Sequence, residues 1–119
     1  MPKALPVIDM SDPVCCNPVA SGPMSDEDAL AVAMRLKAIA DPMRVKIVSY
    51  LFSSADGEET SGGLAAALEL GESTVSHHVS QLRAAGLVVS QRRGMSVFHR
   101  VRPEALQALC VVLDPRCCQ

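Results

Sequence analysis

Cysteine is the residue type with the widest chemical use in this chain, and four of its five cysteines occur as adjacent pairs. Cys15 and Cys16 lie near the start, Cys117 and Cys118 lie at the end, and Cys110 stands alone. Trivalent arsenic or antimony is soft and forms three pyramidal bonds, so two neighbouring thiolates and a third from elsewhere are sufficient. Zinc prefers four tetrahedral ligands, commonly from cysteines two to four residues apart. The pairs favour a trivalent metalloid, while four sulfurs together leave zinc or cadmium open.

Each cysteine also has an interpretation without a ligand. Cys110 falls on an apolar helix face, where cysteine commonly packs as a small hydrophobic residue. The pair at 15–16 could be incidental to an extended arm, and the pair at 117–118 could belong to a frayed tail. A disulfide framework is not expected, because the number of cysteines is odd and the expected compartment is reducing.

A second chemically distinctive stretch is GESTVSHHVSQLRAAG, residues 71–86. Val75, Val79 and Leu82 recur at helical spacing and form one apolar face. An ordinary solvated helix would carry Glu and Lys on the other side. Here that side is small, neutral and rich in hydrogen-bonding groups, a composition that suits contact with base edges: Ser73, Thr74, Ser76, His77, Ser80 and Gln81.

The charge distribution supports a nucleic-acid partner despite a net charge of −2. Residues 1–72 carry 5 basic and 11 acidic side chains. Residues 73–102 contain no acid and five arginines, namely Arg83, Arg92, Arg93, Arg100 and Arg102. A wholly basic window in an otherwise acidic chain predicts a localised contact with phosphates.

Composition limits the architecture that must position these residues. A chain of 119 residues with 49% hydrophobic residues, no Trp and 3% aromatic residues predicts one domain with an aliphatic core. No run of 18 apolar residues is present, and the proline-containing start lacks the apolar stretch of a signal peptide. We therefore expect a cytoplasmic protein with no membrane partner.

The first half of the chain predicts an arm and three helices. Residues 1–24 contain five prolines and predict an extended N-terminal arm. Ser25 with Asp28 resembles a capping box, and the helix from there to about Ile39 is apolar nearly all round, which predicts burial by dimerisation. Asp41 and Pro42 predict the start of a second helix through Phe52. Residues 53–60 are predicted to form a loop. A short helix follows, which Thr60 or Ser61 could cap and which is apolar over 64–70, and the chain then turns around Gly71.

The second half predicts a hairpin and a last helix. Strands over 87–91 and 96–101 are joined by a turn at 92–94, and Pro103 starts a helix over 104–113. That helix presents a candidate dimer surface made of Ala105, Leu106, Leu109, Cys110 and Leu113. The predicted fold is mainly α with a β-hairpin wing, a homodimeric winged helix-turn-helix over 25–113, followed by a cysteine-containing tail over 114–119.

These pieces resemble the ArsR family of bacterial winged helix-turn-helix metalloregulators over about residues 27–113. The most specific segments are ADPMR at 40–44 and STVSHHVSQLRAAGLV at 73–89. The resemblance implies a homodimeric repressor of operator DNA, released when an inducer binds cysteines or histidines, and not an enzyme. It implies a base-reading face of Ser73, Thr74, Ser76, His77 and Gln81, and wing contacts by Arg92 and Arg93. His78 is expected to be structural.

The resemblance also narrows the inducer site. The cysteine-containing segment that precedes the helix-turn-helix in arsenite-sensing relatives is EETSGGL here, and the last helix lacks the histidines of zinc-sensing relatives. Cys15 and Cys16 resemble the arm pair of actinobacterial arsenite sensors. The third thiolate would then come from Cys117 or Cys118, with Cys110 a weaker candidate. The inducer expected is As(III) or Sb(III), bound by Cys15, Cys16, Cys117 and Cys118.

Two other classes of function stay open at this point. In a thiol redox repressor, a disulfide would replace the metalloid. In a thiol enzyme or metal carrier, the helix-turn-helix would be only a scaffold. The second class is disfavoured, because no cysteine has a histidine base nearby in the sequence and the basic window would have no purpose.

Overall fold

The computed structural model describes residues 10–11, 19 and 22–114. Within this part the chain forms five α-helices and one antiparallel sheet of three strands. In chain order the elements are α1 (Asp26–Ile39), α2 (Pro42–Ser53), β1 (Glu58–Thr60), α3 (Ser61–Leu68), α4 (Glu72–Ala84), β2 (Val88–Arg93), β3 (Ser96–Val101) and α5 (Pro103–Leu113). Among the described residues, every helix is too short or too polar to span a membrane.

The first three helices, α1, α2 and α3, begin where the capping residues predict. The Ser25 hydroxyl accepts a hydrogen bond from the backbone N–H of Asp28 at 3.1 Å. Asp41 accepts from the backbone N–H groups two and three residues on, and Pro42 is the first residue of α2. Thr60 accepts from the N–H three residues on at 3.0 Å, so the predicted cap of α3 is confirmed. Each cap satisfies donors that have no partner within the helix.

The predicted hairpin is confirmed, but its turn is shorter than expected. The ladder between β2 and β3 runs from Val88 opposite Val101 to Arg93 opposite Ser96. Gly94 has a φ of 62°, which allows a two-residue turn with Met95. Arg92 and Arg93 therefore lie in β2, and their predicted place in the turn was wrong.

The strand β1 was not predicted from the sequence. It lies within residues 53–60, which were predicted to form a loop. Glu58 to Thr60 pair with Arg100 to Phe98, which makes β3 the central strand of the order β1-β3-β2. Three residues are too few to show the alternation that identifies a strand in a sequence. The strand exists because β3, about forty positions away along the chain, supplies its hydrogen-bond partners.

The core lies between the helices and one face of the sheet. The apolar side of α4 is fully covered, since Val75, Val79 and Leu82 are at most 1% exposed. The other large side chains with less than 2% exposure are Ile47, Leu51, Leu64, Leu87, Val88 and Val112. This packing fixes the direction in which α4 presents its polar side.

The last helix carries two apolar stripes rather than the single face predicted. Ala105, Leu109 and Val112 pack into the core. Leu106 and Cys110 are partly buried and Leu113 is 44% exposed, at positions i, i+4 and i+7 of a neighbouring stripe. The predicted set mixed the two stripes, because adjacent stripes on one helix cannot be separated without knowing where the core lies.

Candidate nucleic-acid interface

The turn between α3 and α4 sets the angle of the helix-turn-helix. Glu69 adopts a left-handed conformation with a φ of 57°, and the N–H of Leu70 donates to the carbonyl of Ala65 at 3.0 Å. Gly71, where the sequence predicted the turn, has a φ of −68° and is the N-cap of α4. The predicted helix over 64–70 instead runs from Ser61 to Leu68. The C-terminal hydrogen bond of α3 holds Glu69 in a conformation that its residue type does not favour.

The outward side of α4 carries all five residues predicted to read bases. Ser73, Thr74, Ser76, His77 and Gln81 are each exposed, and they lie opposite the buried valine and leucine side chains of the same helix. The face is free of acidic side chains after the first residue, Glu72. A helix with this pattern presents hydrogen-bonding groups outward from a rigid base, the arrangement needed in a DNA major groove.

His78 faces a different direction from its neighbour His77. Its Nδ1 accepts a hydrogen bond from Arg44 Nε at 3.2 Å, and Arg44 Nη1 donates to the carbonyl of Ala38 at 3.1 Å. His78 is partly buried and joins α4 to α2 and to the end of α1. The structural role predicted for it is confirmed.

The two arginines predicted as wing contacts differ in their surroundings. Arg93 forms an ion pair with Glu58 of β1, and its guanidinium lies 4.1 Å from the ring centre of Phe98. Arg92 is exposed and has no hydrogen bond or ion pair within the described part of the chain. Arg92 is therefore available to an outside phosphate, whereas Arg93 already has a counterion.

The remaining arginines of the basic window also have partners inside the molecule. Arg83 donates to the Ser90 hydroxyl at 3.0 Å, and Arg100 lies 3.8 Å from the Glu58 carboxylate. Arg102 pairs with Glu104 at 3.1 Å. Four of the five arginines in the basic window therefore have a polar partner within the described residues. Glu58 lies outside that window, which is why its neutralising effect was missed.

A buried histidine lies behind this surface. His99 of β3 is 5% exposed, with Nδ1 2.7 Å from the Ser90 hydroxyl and Nε2 2.9 Å from the Ser61 hydroxyl. Burial lowers the pKa of His99, and the positive charge of Arg83 lowers it further. His99 is therefore neutral at physiological pH. Sequence analysis did not identify this residue, because its partners come from α3 and β2.

Met10 and Ser11 of the N-terminal arm lie close to the end of α4. Arg102 Nη1 donates to the carbonyl of Ser11 at 2.8 Å and to the carbonyl of Gly86 at 3.1 Å. Gly86 has a φ of 74°, and a Cβ at this position would collide with the carbonyl of Met10. Met10 packs against the core. The arm is thus held at Gly86, two residues after the end of α4.

Only one cysteine is within the described residues. The predicted ligands Cys15, Cys16, Cys117 and Cys118 lie outside them. Cys110 is partly buried and disulfide-bonded, which differs from the free, buried side chain expected there. It lies on the outer stripe of α5, so its sulfur is not enclosed by the core. Residues 10–11, 19 and 22–114 contain no group of three or more His, Cys, Asp or Glu that could hold a metal ion.

The geometry defines a class of protein. A short helix, a turn and a second helix with a polar outer face are followed directly by a β-hairpin with an available arginine. This is a winged helix-turn-helix, a fold that binds DNA.

Comparison with known proteins defines the family. A family model described as "Bacterial regulatory protein, arsR family" matches residues 41–90. Transcriptional activator HlyU of Vibrio cholerae is 33% identical over 96 residues, which cover 81% of this chain and 85% of HlyU. The chain belongs to the arsR family of bacterial regulatory proteins. It is a transcriptional regulator, and not an enzyme.

Two further relatives show the range of this family. Arsenic resistance transcriptional regulator ArsR1 of Pseudomonas putida is 37% identical over 60% of this chain and 54% of its own length. The solved structure of the homodimeric winged helix-turn-helix domain of Mb0332 from Mycobacterium bovis, a possible ArsR-family regulator, has a TM-score of 0.61 and 27% identity. That match covers 76% of this chain and 85% of the domain. Reduced HlyU has also been solved, and it matches 79% of this chain and 96% of its own with a TM-score of 0.60 and 28% identity.

Proposed function

We propose that this regulator is a homodimeric repressor that leaves its operator when trivalent arsenic or antimony binds its cysteine thiolates. The observation that carries operator binding is the outer face of α4, which is exposed and hydrogen-bonding while its opposite side is fully buried. Ser73, Thr74, Ser76, His77 and Gln81 read base edges, as resemblance to the family implies. Arg92 contacts phosphate beside the groove, and Arg93 adds a charge that Glu58 partly neutralises.

Homodimerisation is supported by apolar surface that one chain leaves uncovered. On α5 the stripe of Leu106, Cys110 and Leu113 lies beside the core-facing stripe, and on α1 Met34 is 41% exposed. A two-fold dimer covers such surfaces and places two recognition helices about 34 to 36 Å apart, one turn of DNA. The homodimeric relative Mb0332 has the same fold.

The chemistry of the donor set supports the inducer. Two adjacent thiols on the arm and two at the end of the chain provide soft ligands, and the three-bond requirement of As(III) or Sb(III) is met by one pair with one further sulfur. Cys15, Cys16, Cys117 and Cys118 are the ligands in this proposal. The relative ArsR1 of Pseudomonas putida is an arsenic resistance regulator by name.

The contact between the arm and Gly86 supports the route by which an inducer acts. Cys15 follows Ser11 by four residues, and Ser11 is held through Arg102 to Gly86, two residues after the end of α4. An inducer that draws the arm towards the C-terminal cysteines therefore acts on the end of the recognition helix. Coupling between two ligands is commonly about 1 to 3 kcal/mol per site, so two sites in a dimer weaken operator binding substantially.

The first experiment measures fluorescence anisotropy of the protein on its own promoter DNA under reducing conditions. Arsenite, antimonite, zinc and cadmium are added in separate titrations. Release by the two trivalent metalloids alone supports the three-thiolate site, and release by zinc or cadmium indicates a four-sulfur site instead. Because HlyU is described as an activator, a promoter fused to a reporter, measured with and without the protein, tests the direction of regulation.

A cysteine variant tests the ligand assignment. Cys15→Ser bound to operator is expected to stay bound at arsenite concentrations that release the unmodified protein. The titration is made under reducing conditions, which open the disulfide of Cys110. Cys110→Ser is then the matched control, because it removes a sulfur that is not among the proposed ligands. Unchanged release of Cys15→Ser by arsenite contradicts the assignment of the arm pair.

A thiol-redox repressor is the second candidate, and the disulfide at Cys110 favours it. In this alternative peroxide oxidises two thiols to a disulfide, is reduced to water, and thereby weakens operator binding without any metal. Anisotropy before and after peroxide, followed by dithiothreitol in the presence of a chelator, tests it. Reversible loss of binding that is abolished in Cys110→Ser favours redox control over metalloid control.

A further inference from the structure

Four polar side chains form a continuous hydrogen-bonded chain behind the recognition surface. Each comes from a different element: Ser61 from α3, Arg83 from α4, Ser90 from β2 and His99 from β3. The wing is therefore joined to α3 through the His99 imidazole and to α4 through the Ser90 hydroxyl, which the same imidazole contacts. Apart from this chain, the contact between the sheet and the helices is made mainly by aliphatic side chains.

The donor and acceptor groups in this chain can be assigned starting from Arg83, because a guanidinium can only donate. Arg83 has no acceptor, so the Ser90 oxygen accepts from it and the Ser90 hydroxyl proton is free to donate to His99 Nδ1. In the tautomer that uses this donor, the proton of the neutral ring lies on Nε2 and is donated to Ser61. A second proton on the ring would require Ser90 to accept from two cations, Arg83 and His99. Two cationic donors on one hydroxyl are unfavourable, so the geometry favours the neutral imidazole.

Aliphatic contacts alone do not fix the position of a hairpin as narrowly as directional hydrogen bonds do. Apolar burial is non-directional, whereas a hydrogen bond weakens steeply when its angle departs from linear. Ser90 and His99 lie opposite each other in the hairpin, so sliding of the wing relative to the helices would break the bond of Ser90 with Arg83 and the bond of His99 with Ser61 together. It would leave the buried Nε2 of His99 without its partner. The network therefore selects one placement of the wing.

We propose that His99 is a positioning residue for DNA binding, which holds Arg92 on the wing in register with the base-reading face of α4. His99 lies beneath the surface and touches no DNA itself. This inference rests on the proposed binding of operator DNA, and it is independent of the inducer.

A double-mutant cycle on operator DNA tests the proposal. The quantity measured is the slope of the logarithm of the binding constant against the logarithm of salt concentration. Arg92→Ala in the otherwise unmodified protein is expected to reduce this slope by about 1, because one phosphate contact is lost. His99→Phe, which keeps a ring but lacks hydrogen-bonding groups, is expected to reduce it by a similar amount.

The decisive measurement is the slope for the variant that combines His99→Phe with Arg92→Ala. If His99 places Arg92, then adding Arg92→Ala to His99→Phe causes no further change in the slope. A general loss of folded protein would instead leave the effect of Arg92→Ala unchanged in both backgrounds. Additive effects, or no effect of Arg92→Ala in the unmodified protein, overturn the proposal.

Two more variants protect the test against misfolding. Ser90→Ala breaks the link to Arg83 while keeping the ring and Ser61, and it is expected to show the same lack of additivity with Arg92→Ala. His99→Gln retains a donor and an acceptor and is expected to restore most of the slope that His99→Phe loses. Failure of the unmodified protein to bind its promoter at low salt would contradict operator binding itself, and this result is obtained before any variant is made.

Discussion

At the scale of single residues, neighbouring positions on α4 have separate roles. Gln81 is exposed and Leu82 is completely buried, although they are adjacent in the sequence. A helix advances by about 100° per residue, so one side chain faces solvent while the next faces the core. DNA binding and folding can therefore be disturbed independently in this helix.

Paired substitutions at these two positions test the separation. Gln81→Ala is expected to weaken operator binding by about 1 to 3 kcal/mol, as loss of a base contact does, with the free energy of unfolding unchanged within about 0.5 kcal/mol. Leu82→Ala is expected to lower the free energy of unfolding by about 2 to 5 kcal/mol. Anisotropy on operator DNA and urea denaturation measure the two quantities. Equal loss of stability in both variants would contradict the assignment of faces.

The buried His99 predicts how stability depends on pH. In the unfolded chain a histidine takes up a proton near pH 6.5, whereas the pKa of His99 in the folded protein is lowered by burial and by Arg83. Its contribution to stability is therefore complete above about pH 6.5 and is lost as the pH falls towards the folded pKa. Across the sheet Glu59 lies opposite His99, but its carboxylate accepts from the backbone N–H of Thr60 at 2.8 Å.

The measurement compares the unmodified protein with His99→Gln by urea denaturation between pH 7.5 and about pH 5. The unmodified protein is expected to lose more stability over this range, because only it has a buried group that must take up a proton on unfolding. The other histidines are common to both proteins and cancel in the difference. Identical pH dependence in the two proteins would show that His99 is not held neutral by its surroundings.

At the scale of elements, α3 depends on its cap more than the other helices do. It has eight residues, and its sequence SGGLAAAL places two glycines in the first turn. Glycine disfavours a helix by about 1 kcal/mol relative to alanine, so local preference alone does not start this helix. The hydroxyl of Thr60 satisfies the N–H of Gly63 at 3.0 Å and starts it.

Removal of this cap is expected to loosen the helix-turn-helix. Thr60→Ala should lower the free energy of unfolding by about 1 kcal/mol and increase amide exchange in α3. Thr60→Ser keeps the hydroxyl and should have a much smaller effect. Urea denaturation and hydrogen exchange measured on both variants check the prediction, and it would be contradicted by equal effects of the two substitutions.

At the scale of the whole molecule, two glycines with the same backbone requirement differ in their surroundings. Gly86 and Gly94 both have positive φ angles, 74° and 62°. A Cβ at Gly94 would meet nothing within 4 Å, whereas a Cβ at Gly86 would meet the carbonyl of Met10 in the arm. A side chain at Gly94 would therefore introduce backbone strain alone, so a substitution there is the control for one at Gly86. Any larger loss of stability at Gly86 measures its contact with the arm.

Alanine substitutions at these glycines measure that contact. Both are expected to lower stability through strain, and Gly86→Ala should lower it more because it also displaces Met10. Urea denaturation gives the two changes, and proteolysis of the arm checks that Gly86→Ala releases it. If the two variants lose equal stability and the arm is cleaved at equal rates, the arm does not contribute to folding through this contact.

The sequence by itself determined the features that depend on local chemistry. Ser25, Asp41 and Thr60 cap helices through hydrogen bonds to backbone groups two or three residues away. The division of α4 into a buried and an exposed side follows from the helical period. The family follows from the same short segments, since the family model covers residues 41–90.

Only the tertiary structure decided the features that depend on distant partners. Glu58 neutralises Arg93 across 35 positions, Ser61 meets His99 across 38, and Arg102 holds Ser11 across 91. A periodic pattern contains no information on such pairs, because side-chain spacing within one element does not specify which other element packs against it. The extent of the basic surface, the strand β1 and the buried imidazole that joins the wing to α3 were therefore visible only in the folded chain.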